Sequence, residues 1–212
     1  MKRLTDDLDP IIEQIRTTFV TKDTAREKTL HLYREVIRDS STAIRAIHRR
    51  EFDQAEKLLK SASKFLDEAK QAVTGCDELL YAGSAKDAQK EFAEANVTLA
   101  IIRNKSLPDP VELGIDFAAY LNGLGEAVGE LRRYLLDSMR QGDLSHGEEL
   151  LSAMDDIYSA LVTMDFPDAI TLGLRRTTDS VRGILEKTRG DLTLAVQQRE
   201  LGNKLKDFEK KT

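Results

Sequence analysis

From Ile11 to Thr74 the chain contains neither glycine nor proline, and only 4 prolines occur in all 212 residues. Proline removes a backbone donor and glycine raises the entropic cost of order, so a stretch without either is free to run as helix. Apolar residues recur within it at helical spacing: Leu32, Val36, Ala43 and Ile47, with Tyr33, Ile37 and Ile44 beside them. No segment shows the period-two alternation of a half-buried strand, and no internal repeat is visible. Charged residues make up 33% of the chain, so most helices must carry a wet face. These features predict an all-α fold.

The punctuation divides the chain into six or seven helices. Asp9-Pro10 reads as a helix start, with Asp9 as N-cap and Pro10 at the first helical position. The stretch that follows is either one very long helix or two with a turn near Arg50 to Asp53; the second reading is favoured, with a second helix over roughly Asp53 to Thr74 that Gly75 stops. Gly83-Ser84 opens a third, from about Ala85 to Arg103, and the two prolines between Asn104 and Pro110 mark a loop. A fourth helix is expected from Glu112 to Arg140, ending at Gly142-Asp143, and a fifth from Ser145 to Met164. Phe166-Pro167-Asp168 breaks the pattern. A sixth helix is expected to end at Arg189-Gly190, with Asp191 capping a seventh whose Lys-rich end frays.

Several function classes fall away. A net charge of −5 argues against a uniformly basic coat but permits a local basic stripe. The single cysteine, Cys76, forms no disulfide framework and fits a reducing compartment, and with no histidine or second cysteine beside it a thiol nucleophile or zinc site is not expected. Apolar runs are too short for a membrane span, and the first residues lack an apolar signal core, so a soluble cytoplasmic protein is expected. None of the three histidines stands in a Glu-x-x-His pattern, which disfavours a ferritin-like di-iron centre. No Gly-rich phosphate loop follows a strand.

Two constellations remain. The first is acidic: Glu91 and Glu94 are three residues apart, and Glu126 and Glu130 are four apart. On a helix the first pair lies about 60° short of a full turn and the second about 40° past one, so each pair shares a face. If the two helices pack together, four carboxylates can meet, and their repulsion needs a reason such as a divalent cation. An all-oxygen ligand set suits Mg²⁺ or Mn²⁺ better than zinc or copper. The alternative is that these glutamates are ordinary wet-face residues. The second constellation is basic. Arg34, Arg38, Arg45 and Arg49 lie within about 60° of one another on a helical wheel, with His31 and His48 at the edges. Such a row can track a phosphate backbone. The alternative is a solvated face with local ion pairs, such as Glu35 with Arg38. Tyr33, Phe52, Phe92, Phe117 and Tyr120 are the aromatics available for base stacking, though most fit a core better. A late row, Arg175, Arg182 and Arg189, alternates with Asp179 and Glu186 and reads as a salt ladder or an oligomer contact.

The stretch from Gly123-Leu124 through Glu130-Leu131-Arg132-Arg133 to Gly142-Asp143 resembles the best-preserved part of the translin and translin-associated factor X (Trax) family. Gln89 to Ala95 is similar to the Trax version of the preceding helix, and Arg34 to Arg50 and Gly173 to Gly190 look like archaeal-type members. The resemblance implies a single translin-like domain over residues 1–212, assembled with copies of itself into a hollow octameric barrel that holds single-stranded RNA or DNA. Trax-type subunits are metal-dependent endoribonucleases, whereas translin-type subunits bind nucleic acid without cutting it. Glu91 and Glu94 match the earlier Trax pair, and Glu130 matches the glutamate of its Gly-Glu-Leu motif. Glu126 stands where Trax has aspartate, one methylene longer with the same charge.

The complete acidic set places the chain nearer Trax. The expectation is therefore a Mg²⁺-dependent (or Mn²⁺-dependent) endoribonuclease with Glu91, Glu94, Glu126 and Glu130 as catalytic metal ligands. Arg34, Arg38, Arg45, His48, Arg49, Arg132 and Arg133 are expected to contact the nucleic acid, the last two arginines at the scissile phosphate. The alternative is a shell that binds without cleavage.

Overall fold

The computed structural model describes residue 5, residues 7–74 and residues 83–209. Eight helices and no strand occur among them: α1 (Leu8–His48), α2 (Phe52–Ala72), α3 (Gly83–Ile102), α4 (Pro110–Leu113), α5 (Phe117–Arg140), α6 (Gly147–Val162), α7 (Asp168–Thr171) and α8 (Leu174–Glu209). The expected stop at Gly75, and Cys76, lie outside the described residues. No described helix is long and apolar enough to cross a membrane.

The uninterrupted stretch forms two helices, the first of 41 residues, and the expected turn between them falls at Arg49 to Glu51, where Arg50 takes a positive φ of 60°. Three boundaries differ from expectation. The helix starts at Leu8, with Asp7 rather than Asp9 at the cap position and no side-chain cap bond, so Pro10 sits in the first turn, where its missing N–H has no partner to lose. The expected helix from Glu112 splits in two. Gly114 adopts φ 64° and ends α4, and the Asp116 side chain then caps α5 by accepting from the amides of Ala118 and Ala119. The expected break at Gly190 is absent, and α8 runs straight through it. Asp191 caps nothing; its carboxylate accepts from Arg132 of α5 at 2.7 Å, a cross-helix bond that holds this part of α8 to the bundle.

α1 packs on α2 and α3, α3 on α5, and α5 on α6 and α8. The apolar residues form two clusters. One gathers α1, α2 and α3 around Val36, Ile47, Leu66 and Phe92. The other gathers α5, α6 and α8 around Leu131, Met154, Leu161 and Val181, and Val97 of α3 joins it. Ile102 and Tyr120 touch both. The α3–α5 contact is the seam between them. Among the described residues seventeen large apolar side chains remain exposed, and ten of these lie in the first half of α1 and the last part of α8.

Candidate metal and phosphate site

The seam is closely packed because both helices present small residues to it. Ala93 of α3, fully buried, stands at the seam. Opposite it stands Gly123 of α5, where a Cβ would lie 2.6 Å from the Ala93 Cβ and 2.8 Å from the Lys90 carbonyl oxygen. Only glycine allows the backbones this close. Glu126, one turn further along α5, is thereby brought against Glu91 and Glu94.

One oxygen from each of Glu91, Glu94 and Glu126 lies within 4.8 Å of the others. Glu130 lines the same cavity, of about 750 Å³, but it is drawn to one side: its Oε2 lies 2.5 Å from Nε2 of His48. The expected quartet thus resolves into a convergent triad and a fourth carboxylate held by a histidine.

The electrostatics follow this division. Burial pushes the Glu94 carboxyl up to about 8, and the neighbouring charges of Glu126, Glu91 and Glu130 push the same way against Lys90. Glu91 is raised by burial first and by Glu126 next. Glu130 is lowered, chiefly by its hydrogen bond with His48. Lys90 donates to Glu126 at 2.7 Å, and this bond and its charge outweigh the burial that opposes the ammonium, so its pKa is raised. Among the described residues Glu94 has no ion-pair partner within 4 Å, although it is only 8% exposed. A buried carboxyl pressed against two others, all hard oxygen donors, is the environment that a small divalent cation relieves. The residues present fit Mg²⁺ or Mn²⁺.

The basic residues expected at a nucleic-acid surface separate into groups. Arg45 and Arg133 line the acidic cavity. Among the described residues Arg45 donates only to the Thr42 hydroxyl, and Arg133 lies 3.8 Å from Glu130. Arg34 is exposed and donates to the Leu30 carbonyl. Arg38 pairs with Glu35 and Asp39, and Arg49 makes two bonds to Glu51, so for these two the local-pair alternative describes the structure.

Two residues are not where a phosphate contact needs them. His48 has a side chain only 7% exposed and is committed to Glu130. Arg132 donates to Thr188 and Asp191 of α8. Two residues past Glu130 is about 200° around the helix, so Arg132 faces α8, whereas Arg133, three residues past it, returns to the cavity side. Of the aromatics, Tyr33 and Phe92 are buried, while Phe117 is 64% exposed. In the late row, Arg182 pairs with Glu186 and Arg189 with Asp155.

Sequence reasoning missed Lys90 as the counter-ion of Glu126, His48 as the partner of Glu130, and Arg176 as a lining residue. Lys90 stands inside the Glu91 motif and could have been noticed there. The other two come from helices far away in sequence, and nothing local marks them.

The helical bundle with an acidic seam defines a class of all-α proteins, and comparison with known proteins identifies it. No protein-family model matches the chain. Over 203 residues it is 32% identical to an uncharacterised protein of Methanocaldococcus jannaschii, spanning 95% of this chain and 88% of that one. It is also similar to AfC3PO, solved in complex with duplex RNA, with 33% identity, a TM-score of 0.83, and 89% of this chain and 97% of that chain covered. A second structure of AfC3PO gives a TM-score of 0.82 at the same identity, over 89% of this chain and 98% of that chain. Apo-NeC3PO, at 18% identity and a TM-score of 0.73 over 92% of this chain and 100% of that chain, shares the fold. The chain belongs to the translin/Trax family, on its archaeal side.

Proposed function

We propose that this protein is a divalent-metal-dependent endoribonuclease acting on single-stranded RNA within a closed octamer of its own copies. The observation that carries the reading is the convergence of Glu91, Glu94 and Glu126 in a cavity also lined by Arg45 and Arg133. RNA binding is supported by the likeness to AfC3PO, which was solved with duplex RNA. A bound divalent ion would supply Lewis-acid polarisation of the phosphate and charge neutralisation at the leaving oxygen. The chain's own residues do the rest. Glu91, Glu94 and Glu126 would hold the ion. Arg45 and Arg133 offer guanidinium donors to phosphate oxygens. His48 fixes the orientation of Glu130 at the cavity edge.

A second reading rests on the two internal partners of these carboxylates. Lys90 already neutralises Glu126 and His48 already engages Glu130, as in a shell that binds RNA or single-stranded DNA without cutting it. Incubation with labelled single-stranded and duplex RNA, in Mg²⁺, in Mn²⁺ and in EDTA, separates the two. Cleavage that needs the metal and falls by roughly a hundredfold or more in Glu126→Gln supports the nuclease. Glu126→Asp should keep part of the activity. Binding without cleavage in every metal would establish the shell instead.

A further inference from the structure

A second cavity, of about 460 Å³, adjoins the acidic one and shares Glu126, Arg176 and Thr177 with it. Its character is opposite. The first two turns of α3 contribute Lys86 and Lys90, and the start of α8 contributes Arg176. Among the described residues neither Lys86 nor Arg176 has an ion-pair partner within 4 Å; the carboxylates lining the cavity are Asp87 and Glu126, and Glu126 is already neutralised by Lys90. The long helix α8 also begins at this cavity, at Leu174, with Gly173 in its wall. The positive end of the α8 dipole therefore lies where the three cations stand. Asn122 adds no open donor, since its amide is spent on the Ala118 and Thr171 carbonyls and its oxygen accepts from Thr177.

We infer that this cavity seats a backbone phosphate of the bound polynucleotide, next to the one held at the Glu91–Glu94–Glu126 triad, with Lys86 and Arg176 as its principal contacts. The inference rests on the nucleic-acid-binding reading above and gives the strand a direction, across the seam from Arg45 and Arg133 towards the start of α8. Of the α1 stripe it keeps Arg45 and leaves out Arg38 and Arg49, which are occupied by their own neighbours. Arg176 is the hinge of the path, because it lines both cavities.

Each phosphate neutralised on a single strand contributes about 0.7 to the slope of log affinity against log salt. Fluorescence anisotropy with labelled oligouridine, in Ca²⁺ and over a range of KCl, should give a steep slope for the wild-type protein. Lys86→Ala with Arg176→Ala should make it shallower by about 1.4 and weaken binding on the order of tenfold at moderate salt. Arg176→Glu alone should weaken it at least as much, whereas Arg38→Ala with Arg49→Ala should leave the slope as it was. If the Lys86/Arg176 variant keeps the wild-type slope and affinity while the wild-type protein binds well, the second cavity is not on the strand's path, and the functional reading survives. If the wild-type protein itself does not bind oligouridine, the reading beneath this inference is what fails.

Discussion

Among the described carboxyls, burial raises Glu94 to the value furthest from the ordinary one. Its carboxyl is buried and surrounded by other carboxylates, and its folded pKa of about 8 lies above the ordinary value of 4.5. Between those two values the folded chain keeps a proton that the unfolded chain has released, so stability must fall as pH rises. The contribution is complete below about pH 4.5 and is lost on the way to about pH 8. In metal-free buffer the melting temperature should therefore drop between pH 5.5 and pH 8 (approximate working limits), and Glu94→Gln should flatten that drop. Mg²⁺ or Mn²⁺ should restore the wild-type melting temperature chiefly at the alkaline end, because only there is the carboxylate ionised enough to bind it. Calorimetry with and without EDTA measures all three, and a profile that Glu94→Gln leaves unchanged would refute the assignment.

At the scale of elements, glycine separates packing from propensity. Gly123 and Gly190 both lie inside helices, yet a Cβ at Gly123 meets Ala93 and the Lys90 carbonyl, while a Cβ at Gly190 meets nothing within 4 Å. Alanine favours a helix over glycine by about 1 kcal/mol. Gly190→Ala should gain about that much. Gly123→Ala should lose about 1–3 kcal/mol despite the same propensity gain, because the helix backbone of α3 has to move. It should also loosen the triad, seen as weaker Mn²⁺ binding by isothermal titration. The same contrast explains why α8 ignores its expected stop. A lone glycine costs little in a helix whose flanks are held by the Arg132–Asp191 bond and by the buried Leu185, Thr188 and Leu192.

At the scale of the molecule, the apolar surface is left at two ends. Ile11, Ile12, Ile15, Phe19 and Val20 on α1 are 42–65% exposed, and Leu194, Leu201, Leu205 and Phe208 on α8 are 55–71% exposed. A lone amphipathic helix gains most of its stability by packing its apolar face, and patches of this extent mark association sites. In the closed oligomer proposed here, copies of the chain cover these faces. Phe19→Asp and Leu205→Asp should each shift the sedimenting species to smaller mass while the far-ultraviolet helix signal of the bundle persists. An unchanged mass in both variants would place the subunit contacts elsewhere.

The all-α class, the long first helix and its turn at Arg50 were legible in the chain, because helical periodicity and the absence of glycine and proline are local properties. So was the pairing of glutamates on two helix faces, since a spacing of three or four fixes a face whatever surrounds it. Local chemistry decided less at boundaries: Gly114 and Asp116 divided one expected helix, and Gly190 failed to divide another, each according to what packed around it. The site itself depended on contacts between distant segments. Only the close approach at Gly123 brought Glu126 to Glu91 and Glu94, only the burial of His48 turned Glu130 aside, and only the rotation of α5 against α8 took Arg132 out of the cavity and set Arg176 into it. Sequence alone determines which side chains share a helix face. Which faces meet, and which charges find partners there, is a property of packing that no single helix contains.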